Sequence, residues 1–485
     1  MDVEVILDGR VDLSGQVYRQ LRAAILGGRL LPGQSLPPSR ILARRIGVAR
    51  HTVGAAYDRL LGEGLLTTRV GAGTYVAEGW ADLRPEHTGD TSAALRPRPS
   101  WDQLSLAHPM PFSEREPAYD FRAGLPDLAR FPFAALRRLA AEQLRPSALR
   151  SAMYADSRGL PQLRSALARD VSTSRGVHAG PDDVIVTTGS QQAFDLVARV
   201  LLSPGDCVAV EDPCYPFVRE LLRSHGTRVT LVPVDDDGLQ VDALPDDARL
   251  VYVTPSHQYP LGMAMSSARR RQLLAWAEQH NAAIVEDDYD CEFRHDGRAL
   301  QSLHSLDTGG RVLYVGTFSK TLLPALRLGF LVVPESVRGA IVMAKLVSDI
   351  HTSLPLQATL AQFMEEGLFA RHLRRMRDEY AARHDLIVRE LVDDPQPWLE
   401  PLPSAAGLHL AALLPAGSPA DGLLAGQAWE AGVGIYPLSW MYGGPSRRDG
   451  LLLGYGAIER SAVRAGLRRL RRCYEDLRAS PAGGE

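Results

Sequence analysis

Apolar residues recur at helical intervals near the start of the chain. Val17, Leu21, Ala24 and Ile25 stand at i, i+4, i+7 and i+8 behind Ser14, an N-cap residue, and Gly27 and Gly28 close the run. This predicts an amphipathic helix. LPPSRILARRIG sets two prolines before a second capping residue, Ser39, and predicts a short helix through Arg45 that Gly47 ends. In VARHTVGAAYDRLLGEG, Val53, Tyr57, Leu60 and Leu61 share one helical face until Gly62 and Gly64 stop it. LLTTRVGAGTYV then alternates like two short strands about the turn Val70, Gly71, Ala72, Gly73. Helices followed by a hairpin predict a winged helix-turn-helix over residues 1–78.

From residue 79 to 118 periodicity gives way to Pro, Arg, Ser, Glu and His, as in LRPRPSWDQL, which is a linker composition. Trp101, Leu104 and Leu106 offer it apolar docking points. Beyond Tyr119, strand-like apolar runs alternate with helical patterns. DDVIVTTG leads into SQQAFDLVARVLL, DCVAVEDP into FVRELLRSHG and ARLVYVTP into SARRRQLLAWAEQH, with AAIVEDDY and RVLYVGTFS after them. The alternation predicts a mostly parallel sheet with helices on both faces over residues 119–353. Residues 354–485 turn to long helices and a few strands, a smaller α+β subdomain whose closing RASPAGGE is expected to fray.

At 485 residues, 45% hydrophobic and 23% charged, the chain is a multidomain globular protein. A formal charge of -3 excludes a surface that is basic throughout, so nucleic-acid affinity must be local. Between positions 39 and 50 the charged residues are Arg40, Arg44, Arg45 and Arg50, with no acid among them. Arg69 and Gly71 lie on the expected wing. A solvated helical face would also carry such arginines, but helix, Gly turn, helix and hairpin in this order favour duplex DNA. On that reading Arg50, His51 and Thr52 open the recognition helix near base edges, and Arg40, Arg44, Arg69 and Gly71 lie along the backbone. Cys207, Cys214, Cys291 and Cys473 form no CxxC and no zinc spacing, so free buried thiols, a reducing cytoplasm and no metal are expected. No run reaches the ~18 apolar residues of a membrane span.

Of 54 basic residues only Lys320 and Lys345 are lysine. Lys345, in VMAKLVSDIH, reads as a surface or snorkelling side chain. Lys320, in GTFSKTLLPALRLG, keeps different company: hydroxyls at Thr317 and Ser319, and the forked cation of Arg327. A lysine amine can form an imine with an aldehyde, which arginine cannot. Two further clusters close strands. In TTGSQQ, Thr188, Gly189, Ser190 and Gln191 open a helix and suit an anion such as phosphate, although an ordinary capped helix reads the same way. In VEDDYD, a buried Asp287 needs a positive partner such as a protonated pyridine nitrogen, and Tyr289 follows two residues on; alone, such acids also bind magnesium or cap turns. Taken together the three clusters describe an aromatic aldehyde with a ring nitrogen and a phosphate, pyridoxal 5′-phosphate.

TTGSQQ, EDPCYP, TPSHQYPLG, EDDYDCEF and GTFSKTLLPALRLG, in this order behind a winged helix, resemble the MocR/GabR branch of the GntR-type bacterial regulators. Residues 119–353 resemble an α/β fold-type I pyridoxal-phosphate transferase. The resemblance runs from about residue 14 to 475 and takes in DFRAGLPDLARFP and YADSRGLPQLR. It implies a transcription factor, not an enzyme, that binds promoter DNA as a homodimer, often head-to-tail, and senses the cofactor itself or an amino compound. Genes of vitamin B6, amino-acid or amine metabolism would be its targets. It implies that Lys320 carries the imine, Asp287 pairs with the pyridine nitrogen, Tyr289 meets the ring oxygen and Tyr215 stacks on the ring. Thr188, Gly189, Ser190, Thr317, Ser319 and Arg327 would hold the phosphate, with Gln191 and Tyr259 completing the set. The alternative is an active aminotransferase with an appended DNA-binding domain.

Three residues depart from the pattern. Tyr259 replaces the Asn of the aminotransferase NPTG, which weakens the case for efficient transamination. Leu452 stands where amino-acid-binding relatives carry an Arg for the substrate carboxylate, a role Arg219 could take instead. Ala49 replaces a capping Ser at the recognition helix, forgoing about 1 kcal/mol.

Overall fold

A computed structural model describes residues 5–9, 11–69, 73–78, 98–102, 104, 116–149, 154–295, 301–404, 406–445 and 448–479. The chain divides into two compact units, Met1–Arg96 and Pro97–Glu485.

In the first unit α1 (Leu13–Leu26), β1 (Ser35–Leu36), α2 (Ser39–Arg45), α3 (Arg50–Gly62), β2 (Leu66–Arg69) and β3 (Gly73–Val76) follow one another. The described strands form a sheet in the order β1-β3-β2, antiparallel throughout. Val17, Leu21 and Ile25 of α1 meet Leu42 of α2, Val53, Ala56, Tyr57 and Leu60 of α3, and Val76 of the wing in one core. Two details differ from the expected caps. Asp12, not Ser14, caps α1, its carboxylate accepting from Gly15 N, and Pro38 occupies the N-cap position of α2. The pairing of β1 with β3 covers two residues, too few for an alternating pattern to reveal.

The second unit opens with α4 (Pro99–Asp102), β4 (Tyr119–Asp120), α5 (Phe133–Gln143), α6 (Pro146–Leu149) and α7 (Pro161–Arg175). Its large sheet is built from β5 (Val184–Thr187), β6 (Cys207–Asp212), β7 (Arg228–Asp235), β8 (Gly238–Leu239), β9 (Ala248–Val253), β10 (Ala283–Asp288), β11 (Val312–Thr317) and β12 (Gly329–Val332). Helices α8 (Ser190–Leu201), α9 (Pro216–Ser224) and α10 (Ser267–Gln279) connect its strands. Among the described residues the order is β5-β12-β11-β10-β9-β6-β7-β8. Neighbours from β11 to β7 are parallel, and β12 runs antiparallel to both β11 and β5. β5 therefore ends at the same edge as β6, β9, β10 and β11, and that edge gathers the polar clusters. β5, β6 and β11 are buried at every position, as a sheet covered on both faces requires.

The remaining elements are α11 (Glu335–Asp349), α12 (Leu354–Glu365), α13 (Leu368–Val392), β13 (Glu400–Pro401), β14 (His409–Leu413), α14 (Asp421–Glu430), β15 (Val433–Gly434), β16 (Tyr436–Pro437), β17 (Gly450–Gly454) and α15 (Val463–Ala479). Described strands here make a sheet in the order β13-β14-β17-β16. β4 pairs with β15, and Phe121 joins the core that α13 and α15 form with this sheet. All four cysteines are buried free thiols, and no described helix is long and apolar enough to cross a membrane.

Candidate functional site

Adjacent carboxylates at the end of β10 have opposite environments, because successive strand residues face opposite sides of the sheet. Asp288 accepts from Arg175 Nε at 2.7 Å and from the Tyr314 hydroxyl at 2.6 Å. Burial works to raise it, yet the arginine charge and these donors hold it below its ordinary value. Asp287, only 6% exposed, has no arginine partner of this kind among the described residues. Its Oδ2 accepts from the Tyr252 hydroxyl at 2.6 Å, and among the described residues Oδ1 has no hydrogen-bond partner. Burial above all, with Asp288 and Asp290 adding to it, pushes this carboxyl up to about 7 against Tyr252 and Lys320. A buried oxygen without a partner marks where a cationic group fits.

Lys320 follows β11, half-buried, with Nζ donating to Gly124 O at 3.0 Å. Desolvation lowers its pKa, while the charges of Asp290 and Asp287 work against that and Arg327 adds to it. This favours the neutral, nucleophilic amine. The rings of Tyr215 and Tyr259 lie with centroids 5.8 Å apart, as do those of Tyr259 and Tyr289. Burial pushes the Tyr215 phenol up to about 12, with Asp287 raising and Arg327 lowering it. Tyr289 donates to His257 O at 3.0 Å.

An anion cradle closes the group. Gly189, the N-cap of α8, has φ +79°, and a Cβ there would stand 2.7 Å from Arg327 Nη2. Arg327 is itself left-handed, φ 49° and ψ 47°, and its Nη2 donates to Thr188 O at 3.2 Å. Thr317 Oγ1 donates to Ser319 Oγ at 3.1 Å and accepts from Ser319 N at 3.2 Å. Ser190 opens α8, and Gln191 Nε2 donates to Phe217 O at 3.1 Å. The Thr188 hydroxyl turns away from the cradle, 3.5 Å from Asp349 Oδ2 and 3.4 Å from Thr352 Oγ1, and its N–H donates to Gln192 Oε1 at 2.8 Å, so its share is the carbonyl that seats Arg327. The set can hold a planar aromatic cation against Asp287, an anion between the α8 N-terminus and Arg327, and a carbonyl at Lys320.

Sequence reasoning missed several neighbours. Tyr252 sits on β9, beside β10, and only strand pairing brings it to Asp287. His257, Asp290 and His409 cluster with potential ligand atoms within 4.8 Å of one another. Both nitrogens of His257 are already engaged, Nδ1 with Asp290 at 2.9 Å and Nε2 with Ser404 at 3.1 Å. Lys345 corrects an expectation: it is 0% exposed, because α11 covers α8 and its ammonium meets Asp349 at 2.7 Å. Leu452 lies in an apolar cluster with Leu261, Ala411, Tyr436, Leu438 and Met441. Arg219, the substitute considered for a carboxylate, is buried and tied to Met441 O and Glu220.

On the first unit Arg40, Arg44, Arg50 and His51 are exposed. Thr52 is not: it is 8% exposed, because residues 52, 53, 56, 57 and 60 form the inward stripe of α3, so it cannot reach a base edge. Arg69 bonds Glu78 at 3.0 Å and lies 4.9 Å over the Tyr75 ring. Gly71 and Leu106 lie outside the described residues. Ala49 takes the N-cap position of α3, at φ -69° and ψ 148°, with a side chain that offers no acceptor.

Residues 13–76 match the gntR family of bacterial regulatory proteins, and residues 125–431 match aminotransferase class I and II. The class is therefore a DNA-binding transcriptional regulator that carries a fold-type I aminotransferase-like domain. Over 483 residues the chain is 38% identical to the probable rhizopine catabolism regulatory protein MocR of Rhizobium meliloti, covering 98% of this chain and 96% of that one. It is 31% identical over 451 residues to the pyridoxine biosynthesis transcriptional regulator PdxR of Corynebacterium glutamicum, covering 93% of each. Among solved structures, the α-aminoadipate aminotransferase LysN of Thermus thermophilus, complexed with N-(5′-phosphopyridoxyl)-L-leucine, superposes with a TM-score of 0.68 at 30% identity, covering 74% of this chain and 93% of that one. The chain belongs to the MocR/GabR branch of the GntR-type regulators.

Proposed function

We propose that this regulator holds pyridoxal 5′-phosphate at the strand-end site and reads the cofactor itself as its effector. The carrying observation is the buried, unpartnered Oδ1 of Asp287, close enough to Lys320 for each to act on the other's protonation. When bound, the cofactor supplies an aldehyde carbon to which an amine can attach. Lys320 would be that amine, and Asp287 would keep the ring nitrogen protonated. Tyr215 would cover the ring and Tyr289 would face its phenolic oxygen. Gly189, Ser190, Thr317, Ser319 and Arg327 would take the phosphate, with the Thr188 carbonyl seating Arg327 and Gln191 and Tyr259 lining the approach. The apolar surroundings of Leu452 and the engaged Arg219 speak for the cofactor over an amino acid, whose carboxylate would need a free cation. The regulator names of the relatives and Tyr259 in place of Asn speak for sensing over turnover. A homodimer on promoter DNA in the cytoplasm, controlling vitamin B6 genes, completes the proposal.

The likeness to LysN favours a second reading, an aminotransferase with an added DNA-binding unit. One experiment separates them. The protein is mixed with pyridoxal phosphate, reduced with borohydride and digested, and the attachment is located by mass spectrometry. DNA affinity is measured with and without cofactor on duplexes selected from a random pool. Attachment at Lys320, its loss in Lys320→Ala, and a cofactor-dependent DNA affinity are expected. Absence of attachment refutes the cofactor reading, and repeated conversion of an amino acid and a keto acid refutes sensing without turnover.

A further inference from the structure

The chain's two lysines are both wired to the turn that carries the anion cradle. Lys320 feels the charge of Arg327, whose Nη2 meets Thr188 O. Lys345, on α11, reaches the same residue from the helix side. Its Nζ donates to Gln192 Oε1 at 3.1 Å, and that oxygen also accepts from Thr188 N at 2.8 Å. Nζ further meets Asp349 Oδ1 at 2.7 Å and Thr352 Oγ1 at 3.1 Å, so its three protons each have an acceptor. Asp349 Oδ2 in turn accepts from Gln192 Nε2 at 2.8 Å. Gln192 is thus held from both ends, and through it the Thr188 N–H is fixed just ahead of Gly189.

The same cluster grips the junction leading to α12. Thr352 Oγ1 lies 3.5 Å from Val186 O, and Ile350, between Asp349 and Thr352, holds φ 64° and ψ -65°. A β-branched residue keeps such a backbone only where its surroundings over-determine it. A fully buried ammonium would be costly without this complete set of acceptors, and burying it for a surface purpose makes no sense.

Resting on the cofactor reading above, we propose that Lys345, Asp349 and Gln192 form a positioning unit that pre-organises the Thr188–Gly189–Ser190 turn for the cofactor's phosphate. Among the described residues none of the unit's hydrogen bonds reaches Lys320 or Asp287, the residues assigned to the aldehyde and the ring nitrogen. Its loss should weaken phosphate recognition selectively.

The test compares pyridoxal 5′-phosphate with pyridoxal, which lacks the phosphate, on the full-length wild type, Lys345→Met and Gln192→Leu. Gln192→Leu keeps the Lys345–Asp349 ion pair intact, so it carries the test even where Lys345→Met fails to fold. Each folded variant is expected to lose about tenfold or more in affinity for the phosphate ester, as expected for disordering charge-assisted hydrogen bonds. Affinity for pyridoxal should stay within about twofold, and inorganic phosphate should compete less well. Equal losses for both ligands, or an unchanged affinity of Gln192→Leu for the ester, would overturn the proposal. Failure of the wild type to bind either ligand would overturn the cofactor reading, and this inference with it.

Discussion

Replacing Asp287 with Asn should make the unliganded protein more stable at neutral pH while weakening its hold on the cofactor. The carboxyl is pushed from an ordinary 3.8 up to about 7, chiefly by burial. The unfolded chain releases this proton near the ordinary value and the folded chain near 7. The wild type therefore loses stability as the pH rises through that window, and carries the full penalty above it. At roughly 1.4 kcal/mol per pH unit the penalty is about 2 kcal/mol at pH 5 and about 4 kcal/mol at pH 8. Asparagine removes the charge at both pH values and keeps an acceptor for the Tyr252 hydroxyl. Its amide protons inherit the unpartnered place of Oδ1, a cost of ~1–3 kcal/mol that does not depend on pH. The stability difference between variant and wild type should thus be about 2–3 kcal/mol more favourable at pH 8 than at pH 5. Urea unfolding at the two pH values, followed by tryptophan fluorescence, measures it, since five of the six tryptophans lie in the second unit. A difference equal at both pH values, or larger at pH 5, would refute the argument that burial holds this carboxyl protonated. Cofactor affinity of the variant should fall by about a hundredfold, because the ring cation loses its buried counter-charge.

Gly189→Ala places a Cβ at φ +79° and 2.7 Å from Arg327 Nη2. Arg327 is exposed and can shift, so a cost of ~1–2 kcal/mol in stability is expected, with weaker binding of pyridoxal phosphate by titration and little change for pyridoxal. In the DNA-binding unit, Arg44→Ala, at an exposed position assigned to the DNA backbone, should lower affinity for all duplexes and reduce the slope of log affinity against log salt by about one, measured by fluorescence anisotropy. Thr52→Val, at a buried position, should leave sequence preference unchanged in the same assay; a changed preference would place Thr52 at the DNA after all.

Much of this protein is local, and local features were legible. Helical spacing at Val17, Leu21 and Ile25, and at Val53, Tyr57 and Leu60, marked the faces that meet in the first core, because amphipathic periodicity encodes which side of an element is buried. Strand and helix alternation identified the covered sheet, and the motifs at strand ends single out Asp287, Lys320, Gly189 and Arg327, which close or follow strands at one edge of it. Chemistry that rests on residue type needs no coordinates: only lysine offers an amine for an imine, and only glycine turns easily at φ +79°.

What tertiary structure decided is which distant side chains meet. Tyr252 and Asp287 lie on separate strands, and their hydrogen bond depends on the pairing of β9 with β10. Thr52 precedes the apolar residues of α3 in sequence, yet the rotation of that helix against α1 and α2 turns it inward. Lys345 looked like a surface lysine because its own helix shows only charge among apolar neighbours. Its acceptors Gln192 and Thr352 come from α8 and from the junction before α12. A polar group's partners across the fold are set by register and helix placement, which periodicity along one element does not record, and here they turned an ordinary lysine into a buried anchor.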